Sequence, residues 1–442
     1  MDKYKDYKEV RMGWLGRIPA HWTTVPLKYS IGKNPFSFVD GDWIESKVIE
    51  SEGIRYLTTG NVGVINYKEQ GNGFISDKTF RELNCTEVFP GDVLISRLNF
   101  PIGRSCIVPD LGYRIVVAVD NVIFRPDETK YNKKFLVYQM NCYPYSENAN
   151  FIARGSTMQR ITRTQLGALK LCVPPLEEQN AMVSYLDKKC SEIDNVISAQ
   201  QKRIALLQEL KQSVITHAVT KGLNPNVEMK DSGMEWIGDI PSNWNNLRLR
   251  FVCELRNGYT PSKANPEFWE DGTIPWYRME DIRECGRKLK EAKQYITEDA
   301  VKGGGLFEAG SFILATTATI GEHAVLIVDS LANQQFTNLK IRKSLSQKLL
   351  GDYFFYYLYM VDDYCKATTK TSTFPAVSME LLKNCHIVFP PVKEQYKIID
   401  YLDKRCASID SSISKAQHQV ELLQEYKQSL ITEVVTGKRK VC

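Results

Sequence analysis

Histidine is scarce in this chain: His21, His217, His323, His386 and His418 are the only five in 442 residues. None falls in an H-E-x-x-H or H-x-x-E-H arrangement, which excludes a zinc hydrolase site of that kind. The eleven cysteines, Cys85, Cys106, Cys142, Cys172, Cys190, Cys253, Cys285, Cys365, Cys385, Cys406 and Cys442, include no C-x-x-C pair. They read as reduced, mostly buried small hydrophobes, and no metal site is expected. No stretch reaches the ~20 apolar residues of a membrane helix. The charged N-terminus MDKYKDYKEV lacks the apolar core of a secretory signal. Nucleotide and transfer motifs are missing as well. Gly32-Lys33 and Gly437-Lys438 are not followed by Ser or Thr, so neither is a P-loop. An adenine methyltransferase carries an N/D-P-P-Y/F loop, but Pro174-Pro175 lies between Val173 and Leu176, and Asn34-Pro35-Phe36 has a single proline. No G-x-S-x-G elbow is present. Catalysis by this chain alone is not expected. Its expected setting is a bacterial or archaeal cytoplasm, away from membrane.

What is present suits a folded chain. It is 43% hydrophobic and 25% charged, enough to build a core and against wholesale disorder. The net charge of +5 lies wholly in residues 1–221, while residues 222–442 are balanced. Balance does not exclude nucleic-acid binding, because the local sorting of charge decides that.

The strongest signal is an internal repeat. WLGRIPAHWTTVPLKYS from Trp14 returns as WIGDIPSNWNNLRLRFV from Trp236, 222 residues on. The 48 residues from Val173 return from Phe389 with an offset of 216 and 25 identities. Between these blocks the halves diverge, although PGDVLISRLNFPIGRS still resembles AGSFILATTATIGEH. One scaffold, used twice, carries different surface residues, which suits two modules that recognise different things.

After Pro174-Pro175, about 43 residues without Pro or Gly predict a helix from Glu177 to Val219, roughly 65 Å long. Heptad spacing puts Leu186, Cys190, Ile193, Ile197, Ile204, Leu207 and Val214 on one stripe. The second copy has Leu402, Cys406, Ile409, Ile413, Val420, Leu423 and Leu430 there, with Gln200, Ala416, Lys211 and Lys427 as weak slots. So narrow a stripe calls for a similar helix as partner, and the two copies fit each other, with Leu186, Ile193, Ile197, Ile204 and Leu207 facing Leu402, Ile409, Ile413, Val420 and Leu423. Before each helix, β-rich runs (DVLISRL, RIVVAVDNVIF, FILATTATI, HAVLIVD) and short helical pieces (KFLVYQMN, DYFFYYLYMV) predict a mixed globule. The expected architecture is α/β (α+β): a first globule at 1–172, a long helix at 173–222, a second globule at 223–388 and a second long helix at 389–442, the helices antiparallel and the whole a pseudo-twofold repeat.

Loops rich in hydroxyls, amides and Arg, interleaved with aromatics, are the candidate contacts. In the first copy they are Tyr56, Thr58, Thr59, Asn61, Arg97, Asn99, Arg104, Arg154, Ser156, Thr157, Gln159 and Arg160. In the second they are Thr260, Ser262, Lys263, Trp276, Arg278, Thr316, Thr317, Thr319, Lys370, Thr371, Ser372 and Thr373. Hydroxyls, amides and Lys bind phosphate, Arg pairs with guanine and Asn or Gln with adenine, so this chemistry suits DNA. Any one such loop is equally a capped turn, and the recurrence in both copies is what raises the DNA reading.

Three repeated motifs carry a resemblance. They are W-[IL]-G-x-I-P-x-x-W (Trp14 to Trp22, Trp236 to Trp244), P-P-[LV]-x-E-Q with Y-L-D-K (Pro174 to Lys188, Pro390 to Lys404), and L-L-Q-E-x-K-Q-S-x-I-T (Leu206 to Thr216, Leu422 to Thr432). Together they cover about a third of the chain, and the set resembles the DNA-specificity subunits of type I restriction–modification systems. The resemblance implies two target-recognition domains, each reading half of a bipartite, asymmetric site in double-stranded DNA. It implies that the paired helices measure the unread spacer and dock two methyltransferase subunits, which restriction and translocase subunits join. It further implies that no cofactor is bound by this chain, with S-adenosylmethionine, ATP and Mg on the partner subunits. The rival is a non-catalytic coiled-coil scaffold with two protein-binding modules, distinguished by an absence of sequence-selective, salt-dependent DNA binding.

Overall fold

A computed structural model describes residues 3–33, 35–155, 158–317, 319–369 and 376–441. The chain divides into two compact units, Met1–Gln201 with His418–Cys442, and Lys202–Gln417.

In the first unit, strands Phe38–Asp40, Asn121–Phe124, Val93–Ser96 and Ser105–Ile107 form an antiparallel sheet in that order. Val93–Ser96 and Asn121–Phe124 are buried on both faces, which is why they read as continuous apolar runs rather than alternating ones. The run RIVVAVDNVIF is two strands, because the chain turns at Ala118–Asp120 and Ile115–Val117 leaves to pair in parallel with Ile54–Leu57. Strand Phe74–Ile75 completes that smaller sheet. Thr23–Pro26 pairs with Lys170–Val173, just before the long helix.

The second unit repeats this plan. Cys253–Asn257, Phe336–Ile341, Phe312–Ala315 and His323–Leu326 take the same sheet order, with Lys288–Leu289 added at the edge. Ile274–Tyr277 is flanked by Tyr295–Ile296 and Leu331–Ala332, and Asn245–Arg248 pairs with His386–Phe389. Backbones approach so closely at Gly41 and Gly258 that a Cβ would lie 2.3 Å from the carbonyl oxygen of Val117 or Asn333. Only glycine fits at this matched position.

The long helices run Leu176–Lys221 and Val392–Val435, the first slightly beyond the 177–219 predicted from its run without Pro or Gly, and both inside the segments 173–222 and 389–442. They pair antiparallel. In the first unit the Lys427 ammonium donates to both Asp194 oxygens at 2.7 Å, and in the second Lys211 does the same to Asp410. Going 17 residues forward on one helix goes 17 back on the other. The lysines that looked like flaws in the apolar stripe are thus one ion pair made twice. Leu186, Cys190, Ile193 and Ile197 are buried in the first unit, with Leu402, Cys406, Ile409 and Ala416 in the second. Ile204, Leu207, Ile413, Val420 and Leu423 are only half-buried.

The repeated motifs are framework. Glu178, in the helix's first turn where the dipole favours an acid, accepts from Trp22 Nε1 at 3.0 Å, and Glu394 accepts from Trp244 Nε1 at 3.3 Å. Gln179 and Gln395 are fully buried, and each makes two bonds to the globule before it and a third to the proline carbonyl that precedes its own helix. Asp187 accepts from the Tyr138 hydroxyl at 2.7 Å, as Asp403 does from Tyr356 at 2.6 Å. Near the far ends, Gln428 donates to Asn141 O and Gln212 to Tyr359 O. Each globule is therefore held by the start of one helix and the end of the other. The nine cysteines with described side chains, all except Cys285 and Cys442, are buried and unbridged.

Candidate nucleic-acid interface

One loop skeleton recurs in both units. In the first, Arg97 N donates to Asp120 O, Ile161 N to Arg97 O, and Leu98 bridges Arg160. In the second, Thr316 N donates to Gln335 O, Val377 N to Thr316 O, and Thr317 bridges Ala376. The main-chain bonds match while the side chains differ: Arg97 against Thr316, Asp120 against Gln335, Arg160 against Ala376.

In the first unit this skeleton gathers most of the candidates. Arg104 ties two loops together, donating to Val62 O at 2.7 Å and Thr59 O at 2.9 Å on one side and to Leu98, Asn99 and Pro101 carbonyls on the other. Asn99 N donates to Gln159 O at 3.0 Å, and Arg154 pairs with Arg160 through main-chain bonds, which brings in the third loop. Thr58, Asn99, Arg154, Gln159 and Arg160 are exposed there. The Arg160 guanidinium pairs with Asp120, and burial first, then that carboxylate, raises the half-buried Tyr56 phenol above its ordinary pKa. Ser156 and Thr157 lie outside the described residues.

Not every candidate reaches solvent. Asn61 is fully buried and donates to Lys68 O and Gln70 O, so it holds the Thr58–Asn61 turn closed. Arg97 is buried against Asp40 at 3.2 Å and donates to Val119 O at 2.6 Å and Ile161 O at 3.3 Å. Burial pushes its pKa below the usual guanidinium value and Asp40 opposes that. The arginine expected to read a base instead pins three segments. Arg97→Lys keeps the charge but loses the fork, and is expected to cost roughly 2 kcal/mol of stability. A denaturant midpoint equal to wild type would contradict this placement.

In the second unit, Trp276 is buried and donates to Tyr259 O at 3.0 Å, supporting the loop that carries Thr260, Ser262 and Lys263. Ser262 and Lys263 are exposed, while the Thr260 hydroxyl is bonded to Gln334. Thr316 is buried, its hydroxyl 3.3 Å from Gln335 O. Thr317 and Thr319 are half-exposed, the latter accepting from Arg283 at 3.5 Å. The Arg278 guanidinium pairs with Glu280. Lys370, Thr371, Ser372 and Thr373 lie outside the described residues. Sequence reasoning missed Asn333-Gln334-Gln335, which occupies the place of Ala118–Asp120 and joins Tyr277, Thr260 and Thr316. Three consecutive amides between two β-rich runs were the available signal. Among the described residues no group of His, Cys, Asp and Glu could hold a metal ion, and no helix is long and apolar enough to cross a membrane.

Comparison with known proteins bears on both halves. The family model described as "Type I restriction modification DNA specificity domain" matches residues 41–206 and again 241–422. A stretch of 208 residues is 40% identical to the Type I restriction enzyme EcoprrI specificity subunit of Escherichia coli, covering 44% of this chain and 52% of that one. The Type I restriction enzyme MjaVIII specificity subunit of Methanocaldococcus jannaschii is 23% identical over 100% of this chain and 98% of its own. Among solved structures, one concerning complex assembly and conformational transition of the type I R-M system aligns with a TM-score of 0.67 at 16% identity, over 96% of this chain and 99% of the other.

Proposed function

Because the chain belongs to the type I restriction modification DNA specificity family, with one matched segment in each half, we propose that each unit reads one half of a bipartite, asymmetric site in double-stranded DNA. The observation that carries this reading is the shared loop skeleton with exchanged side chains. One backbone presenting two different sets of donors and acceptors is what two different half-sites require. The paired helices would fix the unread spacer and dock two methyltransferase subunits, to which restriction and translocase subunits add. The chain itself contributes recognition and no bond-making step. S-adenosylmethionine, ATP and Mg belong on the partners, and the complex works in the cytoplasm, where chromosomal DNA is reached.

Two weak readers on one frame gain affinity through effective concentration when their separation suits the DNA. The reading is tested by measuring DNA binding of the chain with its cognate methyltransferase subunits. Arg160→Ala is expected to weaken or relax the first half-site by about 1–3 kcal/mol, five- to a hundredfold, and to leave the second unchanged. Equal loss on both halves would make Arg160 a general phosphate contact.

The docking role has its own support. Leu206 and Leu422 hold the same repeat position on the two helices and are 64% and 50% exposed. Leucines left that open on a helix are candidates for a protein contact. Leu206→Glu and Leu422→Glu are each expected to remove one methyltransferase subunit, read as a fall in the mass of the purified complex by one subunit per variant. Full assembly of both variants would move the docking surface elsewhere.

A further inference from the structure

The first unit presents an aromatic side chain that its core does not use. Phe100 is 69% exposed and follows Asn99, whose φ of +59° is left-handed. The exposure is braced rather than loose. Arg104 Nη1 donates to the carbonyls of Leu98 at 3.1 Å, Asn99 at 2.9 Å and Pro101 at 3.2 Å, on both sides of Phe100. Ile102 N donates to Asn150 Oδ1 at 2.9 Å. Leu98 pairs antiparallel with Arg160 and Asn99 N donates to Gln159 O, so the loop that carries Phe100 starts beside Gln159 and its neighbour Met158, which is 65% exposed. Phe151, next to Asn150, is 85% exposed. The exposed Arg154, Gln159 and Arg160 lie on the segment bonded to this loop.

An open aromatic on a braced loop, beside exposed arginines, matches what proteins use to part stacked bases: cations hold the phosphates and an apolar wedge fills the opened step. We propose that Phe100 is such a wedge, inserted at one base step of the half-site bound by the first unit. The inference rests on the DNA-reading function proposed above. It applies to one half only, because the matching stretch of the second unit, Thr316–Gly321, is shorter by one residue and has Thr317, Ala318 and Thr319 in place of the aromatic. The second half-site is therefore an internal control within the same complex.

The test uses the full chain with its cognate methyltransferase subunits and duplexes of the mapped site. 2-Aminopurine replaces, one at a time, adenines on either strand other than the methylated ones. Fluorescence is expected to rise several-fold at one step of the first half-site and nowhere in the second. Phe100→Ala is expected to abolish that rise and to weaken the first half-site about ten- to a hundredfold, as loss of a stacking aromatic does, while Phe100→Trp retains both. Selective binding with a flat signal, or a signal that Phe100→Ala leaves intact, overturns the wedge alone. Loss of methyltransferase assembly by Phe100→Ala without DNA present also overturns it, and makes the tip a protein contact. Absence of any selective binding by the wild-type complex overturns the functional reading itself.

Discussion

Deleting Ile197–Gln200 together with its repeat partner Ile413–Ala416 is expected to shorten the unread gap of the DNA site by one or two base pairs while both half-site sequences persist. Four residues are about 6 Å of helix, against roughly 3.4 Å per base step along a strand. The deletion must be made in both helices. Lys427 meets Asp194 and Lys211 meets Asp410 at 2.7 Å, and shortening one helix alone would take one of these pairs out of register. Four residues also advance a helix by slightly more than a turn, so the apolar stripe rotates by about 40° and weaker methylation is expected alongside the new gap. Footprints or methylation maps with the original gap would defeat the ruler.

Gln179→Leu and Gln395→Leu are the substitutions expected to harm the fold most. The buried Gln179 accepts from Asn132 N at 2.8 Å and donates to Lys130 O at 3.1 Å and Pro174 O at 2.9 Å. Asn132 in turn caps the helix Lys133–Met140, accepting from Lys134 N and Phe135 N. Leucine fills the space but leaves three polar groups without partners, one of them fully buried and two partly, at about 1–3 kcal/mol each. The expected loss, roughly 3–6 kcal/mol, is a large share of the ~5–15 kcal/mol that holds a domain together. Gln395 makes the corresponding bonds to Leu350 N, Lys348 O and Pro390 O, so its variant is expected to suffer equally. Limited proteolysis should cut the altered unit first in each case. A loss under about 1 kcal/mol would show that these amides do not carry the docking.

The same two glutamines mark how far the sequence could be read. Their motif was visible as a repeat, and the helix that follows them was legible from its heptads and the lack of Pro and Gly. The purpose of the motif was not, because its partners lie 45 to 49 residues upstream at Lys130, Asn132 and Lys348 to Leu350, in stretches with no pattern of their own. Lys211 and Lys427 looked like defects until the antiparallel register supplied Asp410 and Asp194. Long-range pairing leaves no trace in local periodicity, so the attachment of each helix end to the globule of the other copy was equally hidden.

Loop chemistry was a weaker guide than the framework. Arg97 and Arg160 have the same side chain and lie on bonded neighbouring segments, yet one is buried against Asp40 and two carbonyls and the other is exposed. Residue type cannot separate them, since burial is decided by which distant segments, here those of Asp40, Val119 and Ile161, close over the side chain. Asn333-Gln334-Gln335 went unnoticed for the converse reason: it lacks the Arg and aromatic residues that drew attention elsewhere, although it lies at the centre of the second loop cluster.

The most direct test of recognition by two different units is a genome-wide map of methylated adenines in a host that carries this chain with its cognate methyltransferase subunits. The expected result is one motif of two different half-sequences separated by an unread gap of fixed length, lost when the chain is deleted. A contiguous or palindromic motif, or methylation that persists without the chain, would contradict it.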